Sequence, residues 1–258
     1  MTPWEGVVLF GAALAGGALN AVAGGGSFLT FPSLLLSGVL PIQANATSTV
    51  ALWPGSLMSV AAYRRELRGR RGLLLLGATS LAGGLLGALL LLRTPQGVFV
   101  RLVPYLLLLA TLLFTFGGTL TRYVRRRLTL GLAGRAAPPW TALAGVVVLQ
   151  LVIATYGGYF GGGIGILMLA SLALLGLEDI HEMNALKTLM ASCINGVAVV
   201  TFVLAGAVAW APALVMVAGA ILGGYGGAAF ARRLPSSAVR GFVIAVGCAM
   251  TLYFLLRS

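Results

Sequence analysis

The chain has 258 residues, of which 59% are hydrophobic and only 9% are charged, and its mean hydropathy is +1.03. Soluble domains average about 45–50% apolar and about 25% charged residues, so this composition excludes an ordinary water-soluble globule. It also excludes a disordered chain, which needs low hydrophobicity and many charges. Seventeen basic residues oppose five acidic ones, for a net charge of +12. The arginines cluster in short segments between apolar runs, as the positive-inside rule predicts for cytoplasmic loops. We therefore expect a multi-pass protein in a lipid bilayer, not a nucleic-acid-binding one.

Ten apolar segments are long enough to predict helices. A helix needs about 20 apolar residues to cross a bilayer core of about 30 Å. The predicted spans are 5–23, 27–40, 45–63, 72–92, 99–120, 140–160, 164–177, 183–205, 210–231 and 237–256. Segments 27–40 and 164–177 have only fourteen residues each, and each follows three glycines that break the preceding helix. Whether these two segments cross the membrane or re-enter it is left open.

The chain contains an internal repeat. Four landmarks recur in the same order at offsets of 137 to 140 residues: Gly24-Gly25-Gly26 with Gly161-Gly162-Gly163, Asn45 with Asn184, Gly83-Gly84 with Gly223-Gly224, and Arg93 with Arg233. This pattern predicts a first membrane repeat over 1–120, a basic cytoplasmic linker over 121–139, and a second membrane repeat over 140–258.

The arginines predict that the two repeats are inverted. The loop after span 45–63 carries five arginines, whereas its counterpart in the second half carries none. Conversely, the loop near Arg93 is poor in arginine, whereas its counterpart holds Arg232, Arg233 and Arg240. If arginines face the cytoplasm, the halves lie upside down relative to each other, which requires an odd number of crossings in each. We expect an all-α integral membrane fold of five plus five segments, with both termini outside.

The two glycine triplets are candidate binding elements. Broken helices at matching positions of inverted repeats are typical of secondary transporters, whose site lies near the middle of the membrane. Each triplet offers backbone N–H groups just before a new helix begins, and a helix N-terminus favours anions. The alternative is that the glycines only allow close packing of helices.

Lys187 is the only lysine in the chain and lies in the second repeat block. A cation near a helix N-terminus is disfavoured by the helix dipole, so we expect an anionic neighbour, which could be the transported ligand. The alternative is a lysine that snorkels to the interface and pairs with Glu182 or Glu178. Its counterpart in the first half is Ser48, which predicts one charged and one hydroxyl wall. The candidate substrate-binding residues are Gly24, Gly25, Gly26, Asn45, Thr47, Ser48, Gly161, Gly162, Gly163, Asn184, Lys187 and Thr188.

The polar residues within the spans allow two interpretations. Asn45 and Asn184 could donate to an oxygen of the ligand or cap the helices that begin near them. Threonine hydroxyls such as those of Thr47, Thr49 and Thr188 often bond their own helix backbone. The other amides in the spans are interpreted as bonds between helices: Gln150, Asn20 and Asn195.

An acidic cluster precedes the span that holds Lys187. His181 titrates near neutral pH in an ordinary setting, so His181 and Glu182 are candidates for proton coupling. Asp179 followed three residues later by Glu182 also reads as a capping box, which is the interpretation we favour. One histidine and two distant cysteines provide no set of metal ligands. We therefore expect no metal, no cofactor and no enzymatic activity.

The repeat blocks resemble a known family. GGGSFLTFPSLLLSGVLPIQANATSTVALWPGSL, GGYFGGGIGILMLASLALLGLEDIHEMNALKTLMASCINGV and LGGYGGAAFARRLPSSAVRGFVIAVG are similar to signatures of the TauE/SafE sulfite exporter family. The resemblance implies a permease of the bacterial inner membrane that moves a small sulfur-containing anion such as sulfite, thiosulfate or an organosulfonate.

We expect this transport to occur by alternating access. The alternatives are an anion channel, a carrier of another small organic anion, and a membrane subunit that needs a partner. The anion's identity, the direction, the coupling ion and the oligomeric state, including a homodimer, are left open.

Overall fold

The apolar runs fold into helices throughout the part of the chain that the computed structural model describes, namely residues 1–23, 25–62, 67, 73–131, 139–174, 177, 179–231 and 236–256. These residues form ten α-helices: α1 (Pro3–Ala23), α2 (Ser27–Leu36), α3 (Pro41–Ala62), α4 (Leu73–Arg93), α5 (Gln96–Gly131), α6 (Pro139–Tyr159), α7 (Ile164–Leu174), α8 (Ile180–Leu204), α9 (Trp210–Ala231) and α10 (Ser236–Leu255). The all-α fold and its ten helical segments are confirmed.

Several helix ends differ from the predicted spans. α3 begins at Pro41 and α8 begins at Ile180, a turn or nearly a turn before the apolar runs at 45 and 183. A proline is well tolerated in the first turn of a helix because its missing N–H has no partner there in any case. α5 continues as far as Gly131, so the first part of the basic segment 121–139 is helical. The short helices α2 and α7 have 10 and 11 residues.

Three helices among the described residues are long and apolar enough to cross a membrane, at Leu74–Arg93, Gln96–Gly117 and Glu182–Leu204. Shorter apolar helical segments lie at Ser27–Leu36, Ala144–Tyr159, Ile164–Ala173, Trp210–Tyr225 and Ile244–Leu255. The structure thus combines long apolar helices with short ones, as a fold with broken helices requires.

The same pair of corresponding helices packs twice, each time with one helix from each half. α1 packs against α9, and the corresponding helices α6 and α4 pack against each other. A Cβ atom on Gly83 of α4 would lie 2.8 Å from the carbonyl oxygen of Leu151, and a Cβ on Gly223 of α9 would overlap the carbonyl of Leu14. Gly83 corresponds to Gly223 and Leu14 to Leu151 in the sequence repeat. These matched crossings support the repeat, and the inverted orientation of the halves in the membrane stays a prediction.

The hydrophobic core joins the two halves. Phe31 of α2 makes edge-to-face contacts with Phe160, which follows α6, at 5.6 Å between ring centroids, and with Phe99 of α5 at 6.5 Å. Phe31 and Phe99 are almost completely buried. Because the short helix of one half packs on the helix break of the other, the core fixes the two breaks relative to each other.

Candidate functional site

A polar cavity lies between α3 and α8, beside both helix breaks. Its volume is about 60 Å³, which is room for several water-sized groups. The lining residues come from α1, α2, α3, α7, α8 and the break before α7: Asn20, Ser27, Thr49, Leu52, Ser56, Gly161, Ile164, Gly165, Lys187, Thr188, Ala191 and Asn195. The predicted site residues that line it are Gly161, Lys187 and Thr188.

The cavity walls are built from matching faces of the two halves. Thr49, Leu52 and Ser56 of α3 are spaced by three and four residues, so they lie on one face of the helix. The residues of α8 at the same spacing, 139 positions later, are Thr188, Ala191 and Asn195. Since α3 and α8 also pack against each other, the cavity lies where corresponding surfaces of the repeats meet.

Lys187 breaks the symmetry of this cavity. Its half-buried side chain lies among the lining residues, and its Nζ donates to Oδ1 of Asn184 at 3.1 Å. An ammonium group has three donors, so this bond leaves donors for a ligand. The other side chains that line the cavity are uncharged in the part of the chain that the structure describes. The cavity therefore combines a single cation with hydroxyl and amide groups, which suits a small anion.

The second glycine triplet has a backbone that requires glycine. Gly161 and Gly163 have φ angles of +80° and +77°, a left-handed conformation that glycine adopts without steric cost. Ile164 and Gly165, the first residues of α7, border the cavity. The first N–H groups of a helix lack partners within the helix, and they favour an anion at this end.

The first glycine triplet is organised differently. Gly26 has a right-handed conformation with φ −56° and ψ −35°, and a Cβ there would lie 2.5 Å from the carbonyl oxygen of Gly16. Close packing therefore explains Gly26, as the alternative interpretation proposed. Gly25 is buried beside it, whereas Gly24 lies outside the described residues. At this break Ser27 is the residue that lines the cavity.

Three predicted residues of α3 point away from the cavity and join other segments. Asn45 donates through Nδ2 to the carbonyl oxygen of Tyr159 at 2.9 Å. The Thr47 hydroxyl accepts from the backbone N–H of Ala209 at 3.0 Å, and Ser48 bonds the Thr30 hydroxyl at 2.6 Å. All three side chains are buried. Of these neighbouring residues it is Thr49, and not Ser48, whose side chain lines the cavity.

The capping interpretation of the two asparagines is wrong. Asn45 is the fifth residue of α3 and Asn184 is the fifth residue of α8, so both lie inside their helices. The helices begin earlier than the apolar runs indicate because the polar first turns are helical too. Asn45 instead connects the halves, and Asn184 holds the ammonium of Lys187.

The other amides in the spans confirm the expectation of bonds between helices in two cases. Gln150 donates to the Ser80 hydroxyl at 2.9 Å, and Asn20 donates to the Ser56 hydroxyl at 3.2 Å. Asn20 and Asn195 also line the cavity, which the sequence reasoning missed. Extending the matched positions 49 and 188 along their helix faces by seven residues, which is about two turns, would have identified Ser56 and Asn195.

His181 and Glu182 lie in the first turn of α8. The N–H of Met183 donates to the carbonyl of Asp179 at 2.9 Å, so the helix starts where the capping box predicts. Capping by the Asp179 side chain and proton coupling by His181 or Glu182 both stay predictions.

The break before α7 is held by Tyr156, whose hydroxyl donates to the carbonyl oxygen of Gly162 at 2.7 Å. Replacing Tyr156 with phenylalanine leaves that carbonyl without its partner, and we expect a loss of about 1–3 kcal/mol in stability. The measurement is the midpoint of heat-induced loss of the monodisperse peak in size-exclusion chromatography. Tyr105→Phe, which removes an exposed hydroxyl from α5, is the matched control. Equal midpoints for both variants would show that the bond does not stabilise the break.

The chain is similar to known membrane proteins over almost its whole length. A family model described as "Sulfite exporter TauE/SafE" matches residues 9–254. A "Probable membrane transporter protein" of Haemophilus influenzae is 29% identical over 247 residues, which are 95% of this chain and 92% of the relative. The "Probable membrane transporter protein YfcA" of Escherichia coli is 28% identical over 253 residues, 97% of this chain and 90% of that protein. No solved structure matches the chain significantly.

Proposed function

Because the chain belongs to the TauE/SafE sulfite exporter family and is a membrane transporter, we propose that it carries a small sulfur-containing anion across the bacterial inner membrane by alternating access. Sulfite, thiosulfate and small organosulfonates are the proposed cargo. The proposed activity is transport and involves no chemical change of the cargo.

The observation that carries this proposal is the lone ammonium of Lys187 in the polar cavity. Hydrogen bonds from charged donors to an oxyanion are about twice as strong as neutral ones. Thr188 and Asn195 provide neutral donors around the same space, whereas the Thr49 hydroxyl donates to the carbonyl oxygen of Asn45 at 2.9 Å. A cavity of about 60 Å³ has the scale of an ion with only a few heavy atoms, so compact oxyanions fit better than long organic acids.

Alternating access is supported by the position of the cavity. Matching faces of α3 and α8 form its walls, and each helix break contributes one edge. In transporters with inverted repeats, the substrate lies at the interface of the repeats, and rocking of one repeat against the other exposes the site to each side in turn. The cavity of this chain lies between α3 and α8, which belong to different predicted repeats, and this position supports the proposal.

The test is titration calorimetry of the purified protein in detergent, followed by flux into proteoliposomes. Sulfite, thiosulfate, methanesulfonate and taurine are the candidate ligands, and sulfate and chloride are the controls. We expect saturable binding of at least one sulfur anion and saturable exchange of the labelled anion. Ohmic single-channel currents would identify a channel instead. If none of the sulfur anions is bound or transported, the proposal is contradicted.

Two threonines provide a matched pair of variants. Thr188→Val removes a hydroxyl from the cavity, and we expect the affinity for the bound sulfur anion to fall about three- to tenfold, as the loss of one hydrogen bond predicts. Thr47→Val removes a buried hydroxyl that bonds Ala209 outside the cavity, so it should lower thermal stability and leave affinity unaltered. Calorimetric titration of both variants with sulfite and thiosulfate tests this difference. If Thr47→Val loses more affinity than Thr188→Val, the anion site lies outside the cavity.

A further inference from the structure

The charge of Lys187 has no acidic partner in the helices that surround it. The elements packed against α8 are α3, α4, α6 and α7. α3 and α7 contain no ionisable residue, α4 contains only Arg93 at its last position, and α6 contains only Tyr156 and Tyr159.

The acidic residues of the chain lie elsewhere in the sequence. The other ionisable residues of α8 are His181, Glu182 and Cys193. His181 and Glu182 precede Lys187 by more than one helical turn, and Cys193 follows it. Asp179 is exposed directly before α8, eight positions from Lys187. Glu5 lies in the first turn of α1, and Glu66 and Glu178 lie outside the described residues. Among the described residues, the hydrogen-bond partner of the ammonium is the neutral amide of Asn184.

A charge in such a place restricts the transport cycle. Alternating access requires an intermediate in which the cavity is closed to both sides, so that bulk water no longer solvates the ammonium. A buried charge without a counter-ion is strongly unfavourable, and the group neutralises instead. The cavity can therefore close around the ammonium when an anion is bound to it. The empty cavity can close only when Lys187 has lost its proton.

The choice of lysine fits this requirement. All sixteen other basic residues of the chain are arginine, and Lys187 is the only lysine. Arginine keeps its proton in proteins, whereas a buried lysine releases it readily. The cation that lines the cavity can thus be discharged, whereas the sixteen arginines cannot.

We propose that Lys187 carries one proton together with each monovalent anion, so that the protein is an electroneutral proton–anion cotransporter; this inference rests on the proposed function. On the loading side, the Lys187 amine takes a proton from water and the resulting ammonium binds the anion. The neutral pair crosses, the anion leaves, and the ammonium returns its proton to water on the release side. The empty carrier then reorients with an uncharged amine. A divalent anion would move one net negative charge in the same cycle.

The experiment uses the purified protein in proteoliposomes with radiolabelled methanesulfonate, whose single charge does not change near neutral pH. We expect an inward proton gradient to drive accumulation, and the external medium to become alkaline by one proton for each anion taken up. With potassium and valinomycin present, the membrane potential should have no effect on this uptake. Accumulation of thiosulfate, a dianion, should depend on the potential.

The variant Lys187→Arg distinguishes the role of Lys187 in proton coupling from its role in anion binding. Because arginine keeps its charge, the empty variant should be unable to reorient, and the ratio of proton-driven net uptake to anion exchange should fall at least about tenfold. Thr188→Val is the control, because it should lower both fluxes together and leave their ratio as in the wild type.

The outcomes separate this inference from the proposed function. Net uptake in the wild type with no accompanying proton would overturn the inference and leave the carrier function intact. An unaltered ratio in Lys187→Arg would assign the proton to another group and would also overturn it. If methanesulfonate, sulfite and thiosulfate show neither uptake nor exchange in the wild type, the proposed function itself fails. The wild-type proton count decides the inference even if the arginine variant does not fold.

Discussion

Replacing Lys187 with glutamine is expected to weaken binding of sulfite or thiosulfate by about ten- to a hundredfold. Among the described residues, the ammonium is the only charged group that lines the cavity, and a hydrogen bond from a charged donor contributes about 1.5–3 kcal/mol. Glutamine keeps polar atoms in the cavity, so the fold should be retained. Titration calorimetry in detergent measures the loss, and size-exclusion chromatography verifies the fold.

Arg93→Gln is the matched control for Lys187→Gln. It removes the same charge from the exposed last residue of α4, outside the residues that line the cavity. We expect its affinity to equal that of the wild type, apart from a small effect of salt-screened long-range attraction. Equal affinities for Lys187→Gln and Arg93→Gln would refute the assignment of the cavity as the anion site.

Replacing Gly87 with alanine is expected to destabilise the protein by about 1–3 kcal/mol or more, as overpacking does. Gly87 lies on α4 where that helix crosses α6, and a Cβ there would overlap the backbone of Thr155 and Tyr159. Backbone atoms cannot turn aside as a flexible side chain can. Helices in membranes associate through such small residues, so the crossing itself must open to accommodate a methyl group.

Gly77→Ala provides the control within the same helix. A Cβ on Gly77 meets nothing within 4 Å, and alanine favours helix more than glycine does. We expect Gly77→Ala to equal or exceed the wild type in thermal midpoint, and Gly87→Ala to fall below it in the same size-exclusion assay. If both variants unfold at the same temperature, close packing at the α4–α6 crossing does not stabilise the fold.

The ten helices could be predicted because each is a run of apolar residues of membrane scale, bounded by arginine, glycine or proline. The repeat is predicted by groups of glycines, asparagines and arginines that recur in a fixed order, and the matched helix crossings support it. The starts of α3 and α8 could not be predicted, because their first turns are polar and lie outside the apolar runs. The sequence therefore leaves capping open as one alternative for Asn45 and Asn184, although both lie inside their helices.

The candidate site was predicted in part. Lys187 and Thr188 line the cavity, as does Gly161, and a unique lysine in a repeat block was sufficient to identify its neighbourhood. Ser48 was predicted as a wall, but neighbouring residues of a helix differ by about 100° in direction, so Thr49 lines the cavity while Ser48 contacts Thr30. A repeat identifies corresponding positions, and only the rotation of each helix decides which of them face inward.

The exchanged packing of the halves has a consequence for synthesis at the membrane. α4 finds its partner α6 soon after it leaves the ribosome, but α1 packs mainly on α9, the ninth of the ten helices. Until α9 is inserted, the glycine-rich surface of α1 is exposed to lipid. Each half therefore lacks the partners that complete its own packing, and the tertiary structure closes only after nearly the whole chain has been inserted. The unit that folds is the complete chain, although the unit that repeats in sequence is half of it.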